Sequence, residues 1–156
     1  MPFIRIETFI QAPLQRCFDL SRSIDLHQIS MEHTNEKAIA GRTSGLIQLG
    51  EQVTWQAKHF GWTQKLSVQI TAFDAPHFFA DELLTGAFKS FRHEHHFKAT
   101  SSGTLMTDLF DFEAPLGLLG LLANQLFLTK YMTHLLQERN KTIQKIAESD
   151  NWKEIL

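Results

Sequence analysis

Residues 91 to 97 read FRHEHHF, three histidines and a glutamate within seven residues, closed at both ends by phenylalanine. Imidazoles and a carboxylate at this density suit a metal centre, an acid/base pair, or the polar stripe of a buried pocket. The run lacks the HExxH or paired-cysteine spacing that makes a zinc motif specific, so no metal and no cofactor is expected. On a strand, side chains alternate between faces. Phe91, His93, His95 and Phe97 then share one face, while the wholly polar set Arg92, Glu94, His96 and Lys98 takes the solvent face.

The next segment, TLMTDLFDF, offers Met106, Asp108, Phe110 and Phe112 on one face. If Ser101 and Ser102 form the turn, Phe91 faces Phe112, His93 faces Phe110, His95 faces Asp108 and Phe97 faces Met106. A buried aspartate needs a partner, because desolvating an unpaired charge is costly. Three readings remain open at this point. His95 and Asp108 could simply satisfy one another and fix the register. They could line a pocket and orient a mostly apolar guest. Or Asp108 could hold His95 in one tautomer and let it work as a general base, which makes these two the candidate catalytic residues.

Other positions add to the candidate lining. Trp55 lies on an alternating strand, with His59 on the same parity. In FFADELLT, either Phe79, Asp81 and Leu83 or Phe78, Ala80, Glu82 and Leu84 face inward; alternation does not choose, and the candidate lining takes the first set. The charge run QERNK (137–141) reads as a solvated helix face. No Gly-rich phosphate loop, nucleophile elbow or paired-carboxylate motif is present.

The elements that must carry these residues follow from periodicity. FIRIETFI (3–10) alternates as a strand, and Pro13 opens a helix over 13–22 with Leu14, Cys17 and Phe18 at helical spacing. A second short helix is expected over 23–31, with Ser23 as its N-cap and Asp25 in its first turn. GRTSGLIQLG (41–50) reads as a flexible connection. Strands are expected at 51–60, 65–73, 78–85, 88–99 and 104–112, the 65–73 strand burying Leu66, Val68, Ile70 and Ala72. From Leu116 to about Glu148 there is no proline, and Leu128, Met132, Leu135, Arg139 and Ile146 recur at helical spacing. The first two turns of that helix are apolar nearly all round, so they should be buried or form a mobile lid. Strands followed by a long helix argue an α+β fold, with the sheet curled around the helix and a hollow between them.

Composition sets the frame. The 156 residues suit a single domain spanning 1–156. A net charge of −2 supplies no basic field for phosphates, so nucleic acid is not an expected partner. Thirteen Phe against one Tyr can fill a dense core or line an apolar cavity. Cys17 is the one cysteine, expected as a small buried hydrophobe rather than a disulfide partner. With no secretion signal in MPFIRIETFI and no stretch able to span a bilayer, a cytoplasmic protein without integral membrane association is expected.

The order of elements resembles the START-like, helix-grip superfamily (SRPBCC) of polyketide cyclases/dehydrases and lipid-transfer domains. The likeness runs through FIRIETFIQAPLQRCFDL, GLIQLGEQVTWQAKHFG, FADELLTGAFKSFRHEHHF, GTLMTDLFDFEAPLGLLG and YMTHLLQERN. The pattern G-x-F-x-x-F-x-H-x-H-x-F, Gly86 to Phe97, is similar to uncharacterised bacterial members. The resemblance implies a curved antiparallel sheet of about seven strands gripping the C-terminal helix, with two short helices after the first strand. It implies that Trp55, Phe91, His93, His95, Asp108, Phe110 and Tyr131 point towards an apolar cavity. The expected function is binding of a small hydrophobic molecule: a lipid, isoprenoid or polyketide-like compound. The alternatives are a cyclase/dehydratase-type enzyme built on His95 and Asp108, and an interaction module whose segment 116–128 docks on a partner or a second copy as a homodimer.

Overall fold

A computed structural model describes residues 3–114 and 121–156, with side chains described from 125 onward in the second stretch. Strand β1 (Phe3–Ile10) is followed by helices α1 (Leu14–Ser21) and α2 (Ile24–Ser30). A short 3-10 turn (Glu32–Thr34) leads into strands β2 (Lys37–Gly41), β3 (Gln52–His59), β4 (Trp62–Asp74), β5 (Phe78–Thr85), β6 (Ser90–Thr100) and β7 (Gly103–Glu113). The long helix α3 (Leu121–Ala147) and the short α4 (Trp152–Ile155) close the chain. The strands form one antiparallel sheet in the order β1-β7-β6-β5-β4-β3-β2. Helix α3 packs against β1, α1 and α2.

The two short helices begin as the sequence dictates. Pro13 stands at the N-cap of α1 in extended geometry, and the Ser23 side chain caps α2 by accepting from the Leu26 amide at 3.1 Å. Asp25, expected to favour the first turn, also reaches across to accept from the Gly45 amide at 2.9 Å. That bond, with Ser23 bridging Leu46 and Arg22 Nη1 donating to the Ile47 carbonyl, ties residues 42–51 onto α2. The connection read from sequence as flexible is therefore pinned.

Strand β2 was not expected from local pattern. Its KAIAG is largely exposed at the sheet edge and contains two alanines, so neither burial nor β propensity marks it. Gly41 ends it at φ +73°, where an added Cβ would run into the Gln52 carbonyl oxygen, so only glycine fits.

Between β6 and β7 the register is the one the two-residue turn requires: Phe91 opposite Phe112, His93 opposite Phe110, His95 opposite Asp108 and Phe97 opposite Met106. Strand β4 departs from its simple alternation. Its pairing with β5 shifts between Ile70 and Ala72, so Thr71 is an extra residue and the inward parity changes. Ala72, expected on the apolar face, gives way to Phe73, which packs its ring at 5.5 Å from Phe18. Before the shift Ile70 stands opposite Asp81 on the covered side, and Glu82 pairs with Arg92 at 3.1 Å on the outer face.

At the centre of the aromatic core Phe18 is fully buried, with edge contacts to Phe73, Phe79 and Phe97 at 5.4–5.6 Å. Cys17 beside it is buried, and burial raises its thiol pKa, as suits an inert core residue. Replacing Phe18 by alanine removes the ring that joins α1 to β4, β5 and β6. The expected cost is about 3–5 kcal/mol of unfolding free energy, read by urea denaturation; a loss below about 1 kcal/mol would contradict this role.

Candidate functional site

Between the inner face of the sheet and helices α2 and α3 lies a cavity of about 360 Å³. Among the candidates named from sequence, Trp55 on β3, Phe79 and Asp81 on β5, Phe91, His93 and His95 on β6, Phe110 on β7 and Tyr131 on α3 line it. Two candidates do not. Leu83, half-buried opposite Val68, packs into the surrounding core instead. Asp108 lies behind the histidines with no exposed surface, so it supports the wall rather than forming it.

The hydrogen bonding also differs from the simplest expectation. Asp108 faces His95 in the register, yet its histidine hydrogen bond is to His93, whose Nε2 lies 2.9 Å from Asp108 Oδ1. His95 Nε2 instead bonds Asp81 Oδ1 at 3.0 Å. His95 Nδ1 sits 3.1 Å from Asp108 Oδ1 but off the axis needed for a hydrogen bond, and it is buried without a partner. The two imidazoles lie face to face with centroids 3.8 Å apart, and Phe79 stacks on the far side of His95 at 4.1 Å. The catalytic pairing read from sequence, Asp108 orienting His95, is thus replaced by two pairs, Asp108 with His93 and Asp81 with His95.

Helix α3 supplies what the sequence reading placed in solvent. Arg139 and Asn140, inside the charge run assigned to a solvated face, are 5% and 2% exposed. Asn140 Nδ2 donates to Asp108 Oδ2 at 2.7 Å and to Thr8 Oγ1 at 3.2 Å. Arg139 Nη1 donates to Asn140 Oδ1 at 2.9 Å and approaches Asp108 at 3.5 Å, while Nη2 donates to the Ser21 carbonyl at 3.2 Å. A signal for this existed: Arg139 and Asn140 follow Leu135 and Leu136 by one helical turn and precede buried Ile143, so the apolar stripe runs through them. Charge in the local run outweighed position in the stripe.

Burial by itself would push the Asp108 carboxyl up. The contacts with the His93 and His95 imidazoles and the Arg139 charge outweigh it and hold the group well below the usual carboxylate range. Asp81 is lowered in the same way, its burial overcome by the His95 hydrogen bond and by the neighbouring His93, His95 and Arg139. Burial, reinforced by the adjacent His95, pushes His93 below the ordinary histidine value despite Asp108.

Two further polar groups face the cavity. His27 lies against the Trp55 indole, centroids 4.2 Å apart, with its Nε2 2.9 Å from Glu36. His59 Nδ1 is 2.6 Å from the Tyr131 hydroxyl, joining β3 to α3, and Phe60 packs on Tyr131 at 4.7 Å. Beyond them Leu126 and Phe127 are 67% and 54% exposed. The expected burial or lid for the start of the helix concerns 116–124, which fall outside the described residues or side chains. On the sheet's outer face Arg92 bridges Glu82 and Glu94, and His96 bonds Glu94 at 2.9 Å, confirming that side as the wet one.

An antiparallel sheet of seven strands closed over a long C-terminal helix, two short helices after its first strand and a hollow between, defines the START-like, SRPBCC-type helix-grip fold. No protein-family model and no curated protein sequence matches the chain. Solved structures do. The Thermus thermophilus protein TTHA0849 superposes with a TM-score of 0.70 at 16% identity, over 91% of this chain and 97% of that one. Major latex-like protein 151 from Panax ginseng gives 0.67 at 16% identity, over 94% and 97%. The di-domain ARO/CYC StfQ of the steffimycin biosynthetic pathway gives 0.72 at 10% identity, over 94% of this chain and 50% of that one. At these identities the likeness establishes the fold; what the cavity holds is a matter of its own residues. Among the described residues, no helix is long and apolar enough to cross a membrane.

The pKa directions predict how stability follows pH. Below about pH 6.5 an unfolded His93 takes up a proton while the folded one resists, so the unfolded state binds more protons and stability falls as pH drops. His59, lowered by its burial, adds to the same window. Asp81 and Asp108 act lower: their unfolded forms protonate near pH 4 while the folded ones stay ionised, so a second loss follows on further acidification. Urea melts from pH 7.5 to 3 should show both stages, and His93→Gln should shrink the upper one. A stability that rises between pH 6.5 and 5 would overturn this assignment.

Proposed function

We propose that the protein binds one small, mostly apolar molecule in the cavity, held by aromatic and aliphatic walls and oriented by a single hydroxyl or carbonyl group at the histidine cluster. The observation that carries this reading is the hollow of about 360 Å³ itself, walled by side chains such as Val53, Trp55, Phe91, Phe110 and Leu135, with His93, His95 and Asp81 together on one wall. Its size falls at the lower end of the roughly 300–1,000 Å³ common for ligand sites. Apolar walls supply affinity without direction, and a few buried polar groups supply direction, because leaving them unpaired is costly. A lipid, isoprenoid or polyketide-like compound has this division of surface.

The test uses protein freed of co-purifying lipid and the neutral probe N-phenyl-1-naphthylamine. Fluorescence should saturate at one probe per chain, and Met132→Trp, which fills the hollow from α3, should weaken binding by roughly tenfold or more, about 1.4 kcal/mol. Native mass spectrometry of untreated protein should show a bound hydrophobic molecule. Absence of saturable binding, or binding indifferent to Met132→Trp, would sink the proposal.

A second reading is catalysis of the cyclase/dehydratase type. The Asp81–His95 pair in the cavity wall favours it, since Asp81 can hold His95 in one tautomer and a turn of the ring would be needed to bring Nδ1 to the guest. The fold-level likeness to StfQ, named as an ARO/CYC, raises it as an analogy. With a poly-β-ketone substrate, His95→Gln should lower turnover by about 10²–10⁴-fold while thermal stability changes little. Equal loss of both would assign the pair to folding alone.

A further inference from the structure

We infer that Asp81, His93 and His95 form a binding site for a divalent transition-metal ion of the zinc class, with Asp108 as the acceptor that orients the imidazoles from behind. One donor atom from each of the three residues can be chosen so that all lie within 4.8 Å of one another. The two imidazoles come from alternate positions of β6 and so project from the same face. The carboxylate comes from the neighbouring strand, where Asp81 stands directly opposite His93. Ligands at about 2.0–2.2 Å in a tetrahedral site lie roughly 3.3–3.6 Å apart. Asp81 Oδ1 and His95 Nε2, at 3.0 Å, are a few tenths of an ångström closer than that, and with all three donor atoms within 4.8 Å of one another, shifts of about an ångström or less would bring the set to it.

The surroundings fit a metal centre beyond its three ligands. Metal-bound histidines usually donate their other ring N–H to a carboxylate, which fixes the tautomer. Here His93 uses Nε2 towards Asp108, so its Nδ1 is the nitrogen left for an ion. His95 uses Nε2 towards Asp81, and its unpartnered Nδ1 lies 3.1 Å from the same Asp108 oxygen. A small turn of that ring on ligation would align a second N–H with Asp108. Asp108 is itself held by Asn140 at 2.7 Å, with the guanidinium of Arg139, which also lines the cavity, 3.5 Å away. Three protein ligands leave a fourth position open towards the cavity, the arrangement of sites that bind a water or a guest oxygen.

FRHEHHF lacks the HExxH or paired-cysteine spacing of a specific zinc motif, so the sequence pattern argues against a metal; the third ligand comes from the neighbouring strand. The regular alternation of β5, with Asp81 opposite His93 and Phe79 opposite His95, brings Asp81 to the covered face and completes the set.

Titration of metal-stripped protein with Co²⁺ tests this independently of any apolar guest. Visible d–d absorption should grow to saturation at one Co²⁺ per chain and be displaced by Zn²⁺. Asp81→Asn should weaken binding by more than the roughly 10–100-fold that losing a supporting residue costs. In the unmodified protein, sub-stoichiometric Co²⁺ should broaden the imidazole NMR signals of His93 and His95 before that of His96, which requires no variant to fold. Absence of d–d bands at stoichiometric protein would overturn the site. So would binding that survives Asp81→Asn and is lost in His96→Gln, which would place the ion on the outer face with Glu94.

Discussion

A carboxylate with no exposed surface has to be answered by the protein, and Asp108 is answered from several directions at once. It accepts from His93 on the adjacent strand and from Asn140 on α3, and it faces the Arg139 guanidinium. Through Asn140 the network reaches Thr8 on β1, and through Arg139 it reaches the end of α1 at Ser21. The cost of leaving any one of these groups bare in a low-dielectric interior is several kcal/mol, so their mutual satisfaction fixes where the helix lies on the sheet. Apolar packing alone would tolerate small slides of α3; this network does not.

That constraint explains how a hollow persists beneath the helix. The polar network fastens α3 near Arg139 and Asn140, and the aromatic cluster around Phe18 fills the space beside α1. Further along the helix, Tyr131 meets His59 on β3, which joins α3 to the opposite part of the sheet. Fastened at two places along its length, α3 spans the cavity rather than sinking into it. The histidine pair is then presented from the fastened end, rigidly stacked between Phe79 and its own network.

The parts legible in the sequence are those ruled by short-range geometry. A two-residue turn at Ser101–Ser102 leaves β6 and β7 only one register that buries both apolar faces, and the division of FRHEHHF into a covered and a wet side follows. The Pro13 and Ser23 helix starts are equally local. What escaped were features decided by distant contacts. The extra residue Thr71 in β4 leaves no mark in composition, yet it turns Phe73 inward, and the choice between Asp81 and Glu82 rests on how β5 pairs with β6. Strand β2 exists because β3 offers it an edge, not because KAIAG favours extension. Arg139 and Asn140 look like surface residues until Asp108 stands opposite them.

The network around Asp108 also has an order in time. Its acceptor and the histidines leave the ribosome well before Arg139 and Asn140, which lie 31 and 32 residues further along the chain. Until α3 emerges, Asp108 has neither Arg139 nor Asn140 to meet it. The polar floor of the hollow is therefore completed only after the sheet strands are made, when α3 folds back on β1 and α1.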